Sequence, residues 1–390
     1  MKRNLVALGL LAAAGTASAQ SSVTLGGIID TGVTFGRGSV ADRVQLTSGN
    51  MATSRLIFRG TEDLGGGLSA SFWLEAGLNI DDGSGQATNT NNQTSGGNLS
   101  CTVATTTTTA TTANPAIAGT ALTSTSTSTS TCTPAINGAQ GMTFNRRSTV
   151  SLAGGWGEVR LGRDYVPQYW NRSVFDPFGI VGVGQTVISN LNITGITSVR
   201  ASNSIGYLLP GSLGGWYGQA MYHLGENAGN VGVTKRDGSG YGVRIGYAAG
   251  PFNIAAATGY TRYAAGAVHQ SNIGGRWDFA MVKLMAQYER ERAGLREADG
   301  WLVGGLVPVG AGEVRVSYSR FHIDPPGNVA EPRATKIALG YVHNLSKRTA
   351  LYATYARVRN SAGGTLGLGG ATTAANQGSS GLDLGIRHTF

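Results

Sequence analysis

The sequence predicts an all-β fold: a 16-stranded antiparallel transmembrane β-barrel with short turns on one rim, long loops on the other, and one loop folded into the bore. Three observations carry this. Apolar residues recur at every second position in many separate segments, the signature of strands with one greasy face. The connections alternate between short glycine-rich turns and long polar stretches, as a membrane barrel requires. Beyond the N-terminus there is no run of eighteen apolar residues to form a spanning helix, while Gly is 61 of 390 residues and charged residues are 13%.

Residues 1–19 open with Lys2 and Arg3, continue through an apolar run and close on Ala17-Ser18-Ala19. This is the pattern of a secretory signal peptide. Its removal leaves 20–390 as a single barrel and lowers the formal charge from +9 to +7, because it holds two basic and no acidic residues.

The first strand shows Val23, Leu25, Ile29, Val33 and Phe35 on odd positions. Leu56 and Phe58 begin a second strand, and Leu68, Ala70, Phe72 and Leu74 a third, with EDLGGG at Glu62 to Gly67 as the reversal between them. From 81 to 142 a Thr/Ser-rich tract interrupts the rhythm; too polar to bury much apolar surface, it reads as a floppy external loop. Val150 and Leu152, then Val159 and Leu161, form the fourth and fifth strands.

The segment 164–199 follows, thirty-six residues containing DPFG at Asp176 to Gly179. A structureless insertion of that length is functional or disordered, and this one reads as the loop that narrows the bore. Ile205, Tyr207 and Leu209 resume the strands. Gly214 to Leu224, Trp301 to Val309 and Lys347 to Val358 are apolar on both parities, so their facing is ambiguous. Elsewhere the period of two is clean through Tyr241 to Tyr247, Phe252 to Tyr260, Ile273 to Trp277, Val282 to Tyr288, Val314 to Tyr318, Ile337 to Tyr341 and Leu382 to Phe390. The total is sixteen segments. A soluble exported β-protein would share this alternation. Against it, the face opposite the apolar one is polar without dense charge, and the apolar period persists through Phe390.

Cys101 and Cys132 lie in the Thr/Ser-rich tract, thirty-one positions apart. An exported chain permits a disulfide between them, with free thiols the other reading; no His is near enough for a metal pair.

SSVTLGGIIDTGV at the start, SRLIFRGTEDLGGGLSASFWLE from Ser54, FNRRSTVSLAGGWGEVRLGRDYVP from Phe144, DPFG, RASNSIGYLLP from Arg200 and the terminal GIRHTF together resemble the general porins of Gram-negative outer membranes, most of all the betaproteobacterial branch. The resemblance implies an outer-membrane homotrimer whose subunits each enclose a water-filled pore for passive diffusion of small hydrophilic solutes and ions. It also implies short turns on the periplasmic side, DPFG and its Phe178 in an inward third loop, and a C-terminal strand ending at Phe390 that signals to the barrel assembly machinery. The family's second loop often reaches a neighbouring subunit; the Thr/Ser expansion and both cysteines depart from that pattern.

With the apolar parity assigned to lipid, the other parity places Arg55, Arg59, Trp73, Glu75, Arg147, Arg160, Arg200, Arg244, Arg276, Arg315 and Arg387 in the lumen. Arg146 and Arg163 fall on the lipid parity near strand ends, where a bulge would redirect them. The resemblance assigns Arg146 and Arg200 to the basic side of the constriction, with Arg59 beside them. Asp164, Asp176 and Glu75 are expected to face them as the acidic side. An arginine-lined bore predicts preference for small anions, although any porin lumen must be polar. Tyr217, Tyr241, Tyr247, Tyr260 and Trp277 are candidates for the interfacial girdles.

The rival functions are a substrate-specific outer-membrane channel, a barrel adhesin using the Thr/Ser-rich loop, and a barrel enzyme. His223, His269, His322, His343 and His388 are scattered without a Ser or Asp constellation. No cofactor, metal or nucleic-acid motif appears.

Overall fold

The computed structural model describes residues 22–86, 92, 99–104, 129–134, 143–190, 193, 195–230, 232–327 and 329–390. The expected signal peptide lies outside the described residues, as does most of 81–142. The main sheet holds seventeen strands. Sixteen are barrel staves: β1 (Ser22–Arg37), β3 (Arg55–Gly65), β4 (Leu68–Gly77), β7 (Arg147–Gly154), β8 (Gly157–Tyr165), β9 (Arg200–Leu208), β10 (Trp216–His223), β11 (Gly240–Ala249), β12 (Phe252–Thr261), β13 (Val268–Asp278), β14 (Lys283–Ala293), β15 (Arg296–Val309), β16 (Gly312–Asp324), β17 (Arg333–Asn344), β18 (Thr349–Ser361) and β19 (Ser379–Thr389).

All neighbours are antiparallel, and β1 closes the ring. It pairs with β19 from Ile28↔Thr389 to Arg37↔Ser380 and with β3 from Ser22↔Thr61 to Ile28↔Arg55. Closure satisfies the backbone in lipid, which an open sheet edge would not. The free upper edge of β1 is taken by β2 (Arg43–Ser48), from Thr31↔Ser48 to Gly36↔Arg43. The sequence reading has no strand there, although Val44 and Leu46 alternate and are exposed. The tract 81–142 also holds two strands that the sequence reading does not include. Its β5 (Leu99–Ala104) and β6 (Thr129–Pro134) pair antiparallel as a separate ribbon, and in their backbone register Cys101 stands opposite Cys132.

Along β14, Leu284, Ala286 and Tyr288 point out while Met285, Gln287 and Glu289 are buried within. Outward-facing aromatics form girdles at both ends of this surface. Tyr222, Tyr241, Tyr260 and His269 are successive cross-strand partners near the long-loop rim. Near the other rim Trp216 packs on Tyr247 and Phe252 on Trp277, with ring centroids 5.2 and 5.6 Å apart. Tyr217 does not join them; it points inward and donates its hydroxyl to Asn253 Oδ1 at 2.6 Å. The long-loop rim has one short member, the turn at Gly294 and Leu295 between β14 and β15.

The segment between β8 and β9 lies inside the barrel. It begins with α1 (Pro167–Val174), whose Pro167, Gln168, Asn171 and Arg172 are buried against β11–β14. Asn171 Nδ2 donates to Ala255 O at 3.0 Å and Asn272 Oδ1 at 2.9 Å, and Arg172 Nη1 meets Glu289 at 3.1 Å and Glu291 at 3.7 Å. Gly242, Gly259 and Gly274 make the approach possible. A Cβ on them would come within 2.8 Å of Pro167, 2.4 Å of Gln168 and 2.3 Å of Phe175.

Farther along, Phe178, Val183, Val187 and Ile188 form an apolar cluster with Leu302, Phe321, Ala338 and Val358 of the opposite wall. Two polar ties flank the cluster: Lys336 Nζ donates to Val183 O at 2.9 Å, and Val183 N donates to Asp383 Oδ2 at 2.8 Å. This resolves two of the three ambiguous segments. Leu302 in β15 and Val358 in β18 are apolar on the inner parity because the loop covers them.

Candidate functional site

The inner face of β3, β4 and β7–β9 is left bare by the loop and carries the arginines. Between this wall and α1 is a cavity of about 750 Å³, lined on the wall side by Arg55, Arg59, Arg146, Arg147, Trp73 and Glu75, and on the loop side by Tyr165, Tyr169, Trp170 and Ser173. It continues to the short-turn rim at Arg348 and Phe390. Five arginines, Arg348 included, and one carboxylate side chain are among the described residues that line it.

Period-two alternation places Arg55, Arg59, Trp73, Glu75 and Arg147 on one face of neighbouring strands. Arg59 and Arg147 stack over the Trp73 ring, their Cζ atoms 5.3 and 4.6 Å from its centroid. Arg146 precedes β7 and is buried; its Nε donates to Glu75 Oε1 at 2.6 Å and its Nη2 to the Tyr165 hydroxyl at 2.5 Å. Arg200 Nη2 donates to the same hydroxyl at 2.7 Å, with its Cζ 4.3 Å from the ring centroid. Tyr165 thus clasps two like-charged groups that would otherwise repel. The sequence reading missed it; its only signal was its place at the end of β8.

Arg163 sits in a β-bulge, where the β8–β9 register shifts between Gly162 and Asp164. There it turns from lipid, donating to Asn145 O at 2.5 Å and Ser202 Oγ at 2.7 Å. It supports the wall and is absent from the cavity lining. Arg160 pairs with Glu158 at 2.9 Å and Asp164 at 2.7 Å. Elsewhere in the bore, Arg244 packs over Tyr217 at 4.8 Å and donates to Asn171 Oδ1 at 2.9 Å, tying wall to loop, while Arg315 pairs with Glu313 at 3.0 Å.

The expected acidic side requires correction. Glu75 does not oppose the arginines but lies among them, 2.6 Å from Arg146 and 3.6 Å from Arg55. Asp164 likewise belongs to the basic wall, 3.6 Å from Arg147. Asp176 is buried under the loop, accepting the backbone N–H groups of Phe178 and Thr186 at 2.8 Å each. Burial pushes its carboxyl above the ordinary aspartate range. Phe178 is an anchor against Gly340 in the wall, not a lining residue. The reason is shared: a carboxylate near guanidinium groups pairs with them, and one on a buried turn satisfies backbone donors. The surface facing the arginines is therefore aromatic and neutral.

Phe390 completes the ring on β1, exchanging backbone hydrogen bonds with Gly27 at 3.1 Å in both directions. Whether Cys101 and Cys132 are joined, the expectation left open by the sequence, rests on side chains that lie outside the description. The second loop returns to its own barrel at Asn92. Its Nδ2 donates to Ser202 O at 2.7 Å and Leu224 O at 3.1 Å, and its Oδ1 accepts from Ser202 N at 2.7 Å.

A closed sixteen-strand barrel with an apolar outer band, a polar bore and an inward loop defines an outer-membrane channel protein. The comparisons agree. A model of the Gram-negative porin family matches residues 5–363. Outer membrane porin protein 32 of Delftia acidovorans is 33% identical and an outer membrane porin protein of Bordetella pertussis 28% identical, each over the full length of both chains. The solved anion-selective porin from Comamonas acidovorans is 31% identical, with a TM-score of 0.74 over 95% of this chain and 100% of its own. The chain belongs to the Gram-negative porin family: it is an outer-membrane porin, a channel and not an enzyme.

Proposed function

We propose that this porin prefers small anions, and that the wall of Arg55, Arg59, Arg146, Arg147 and Arg200 sets the preference. The observation that carries this is the unequal cavity lining, Arg55, Arg59, Arg146, Arg147 and Arg348 to the one carboxylate side chain of Glu75, with Arg200 held on Tyr165 beside it. The other carboxylates of the inner wall are paired or covered: Glu289 and Glu291 lie behind α1 against Arg172. The related Comamonas porin, described as anion-selective, supports the same reading. A unit charge at 4 Å acts with about 4 kcal/mol at the effective dielectric of a protein surface, so a few uncompensated guanidinium groups suffice to bias ion entry. In a planar bilayer under a KCl gradient, the reversal potential should lie on the chloride side. Arg59→Ala should move it toward zero more than Arg146→Ala or Arg200→Ala, because Arg59 alone of the three lacks a carboxylate or phenol partner. A potassium-preferring wild type would refute the reading.

The mature protein is proposed to start at Gln20, to carry a Cys101–Cys132 disulfide across the β5–β6 ribbon, to assemble through the strand ending at Phe390 and to form a homotrimer. The family supports the trimer and the facing backbone positions support the disulfide. Native and reduced intact-mass measurements on protein extracted from the outer membrane check the N-terminus, the two hydrogens gained on reduction and the subunit number. A monomer with free thiols would reject both assembly claims; shortening the chain by Phe390 should lower its yield in the membrane.

A further inference from the structure

The charge of the wall explains a preference for anions but not the surface facing it, which is built from aromatic rings. α1 turns Gln168, Asn171 and Arg172 to the barrel, so Trp170 and Ser173 face the bore. Trp170 is 36% exposed. The other bore aromatics are occupied. Trp73 lies under Arg59 and Arg147, and Tyr165 is held between Arg200 and Tyr169, whose ring stacks on it at 5.1 Å and 6°. Trp170 only tilts against Tyr165, at 5.2 Å and 58°, and among the described residues no guanidinium sits over it.

Its position distinguishes it from the membrane-girdle tryptophans Trp216 and Trp277, which point outward at the rim. Tyr165 connects Trp170 to the guanidinium wall. Its ring adjoins Trp170 and its hydroxyl meets Arg146, so the indole and the Arg146 guanidinium flank the same phenol. On that wall Arg59 makes no ion pair among the described residues, whereas Arg55, Arg146 and Arg147 each do.

We infer that this cavity is a transit site for aryl carboxylates, the carboxylate meeting the guanidinium wall while the ring lies on Trp170. This rests on the anion reading of the same cavity and adds a solute class to it. Guanidinium–carboxylate contacts are charge-assisted and directional, and the indole adds a contact that acetate or chloride cannot make.

Sodium benzoate and sodium cyclohexanecarboxylate share charge and similar size, but only benzoate has a π face. Added to single wild-type channels in KCl, benzoate should give current blocks about 2- to 10-fold longer, the range expected of one aromatic pair. Trp170→Ala should remove the difference between the acids, and Trp170→Phe should retain most of it. Equal block times in wild type overturn the inference, as does a difference that survives Trp170→Ala. The wild-type comparison needs no variant to fold. The chloride/potassium reversal potential of the same channel, read before either acid is added, reports the anion preference separately.

Discussion

Glu75 is the residue whose role the structure changes most. Strand parity places it in the bore, but parity cannot say which neighbours its carboxylate will find, and Arg146 and Arg55 reach it from adjoining strands. It therefore subtracts from the positive field instead of opposing it across the bore. Neutralising it by Glu75→Gln should shift the reversal potential further toward chloride. The same substitution removes the partner of a buried guanidinium, a loss of about 3–5 kcal/mol for a fully buried pair, so the thermal transition should fall as selectivity rises. Asp176→Asn should leave selectivity untouched, although its place in the DPFG motif suggests an acidic side of the bore. Because Asp176 faces backbone donors and not the solute path, the reversal potential should stay at the wild-type value. A shift as large as that of Glu75→Gln would put Asp176 back in the bore. Arg55, Arg59 and Arg147 were legible from alternation alone; Tyr165 and Trp170 were not, since their roles arise from rings brought together by a loop.

At the scale of elements, the inward loop is held by shape on one side and by apolar burial on the other. β11–β13 offer glycines where α1 touches them, and β15–β18 offer Leu302, Phe321, Ala338 and Val358 to the loop's later half. The apolar half left a trace in the sequence, as strands greasy on both parities, and that trace looked like ambiguity because a barrel strand usually has one apolar face. The glycines left none, since glycine is common throughout the chain. Gly274→Val is the sharpest probe: a Cβ there would lie 2.3 Å from Phe175 Cδ2. Overpacking of this kind costs about 1–3 kcal/mol, and the loop can relieve it only by moving into the bore. Single-channel conductance should therefore fall, while Gly275→Val on the same strand, with its nearest neighbour 3.6 Å away, should leave it near wild type. Equal conductances in the two variants would show that the loop is not seated as described.

For the molecule as a whole, the distribution of charge matters more than its sum. A formal charge of +9 says little about selection by itself. Its effect depends on the loop covering Glu289, Glu291 and Asp176 on one side of the barrel and leaving the arginines bare on the other. Because the described lining contains arginine and no lysine, the field should not titrate at moderately alkaline pH, guanidinium keeping its proton throughout that range. Mobile salt should weaken it, since the Debye length falls from about 10 Å at 0.1 M to about 3 Å at 1 M. The expected outcome is a chloride/potassium permeability ratio that stays level from neutral to moderately alkaline pH and declines as KCl rises. Reversal potentials across a grid of pH and KCl concentration separate the two dependences. A ratio that declines with pH at fixed salt would assign the selective charge to a titrating group and exclude the guanidinium wall as its source. A ratio indifferent to salt at fixed pH would point to direct coordination of the anion at the constriction, with the long-range field contributing little.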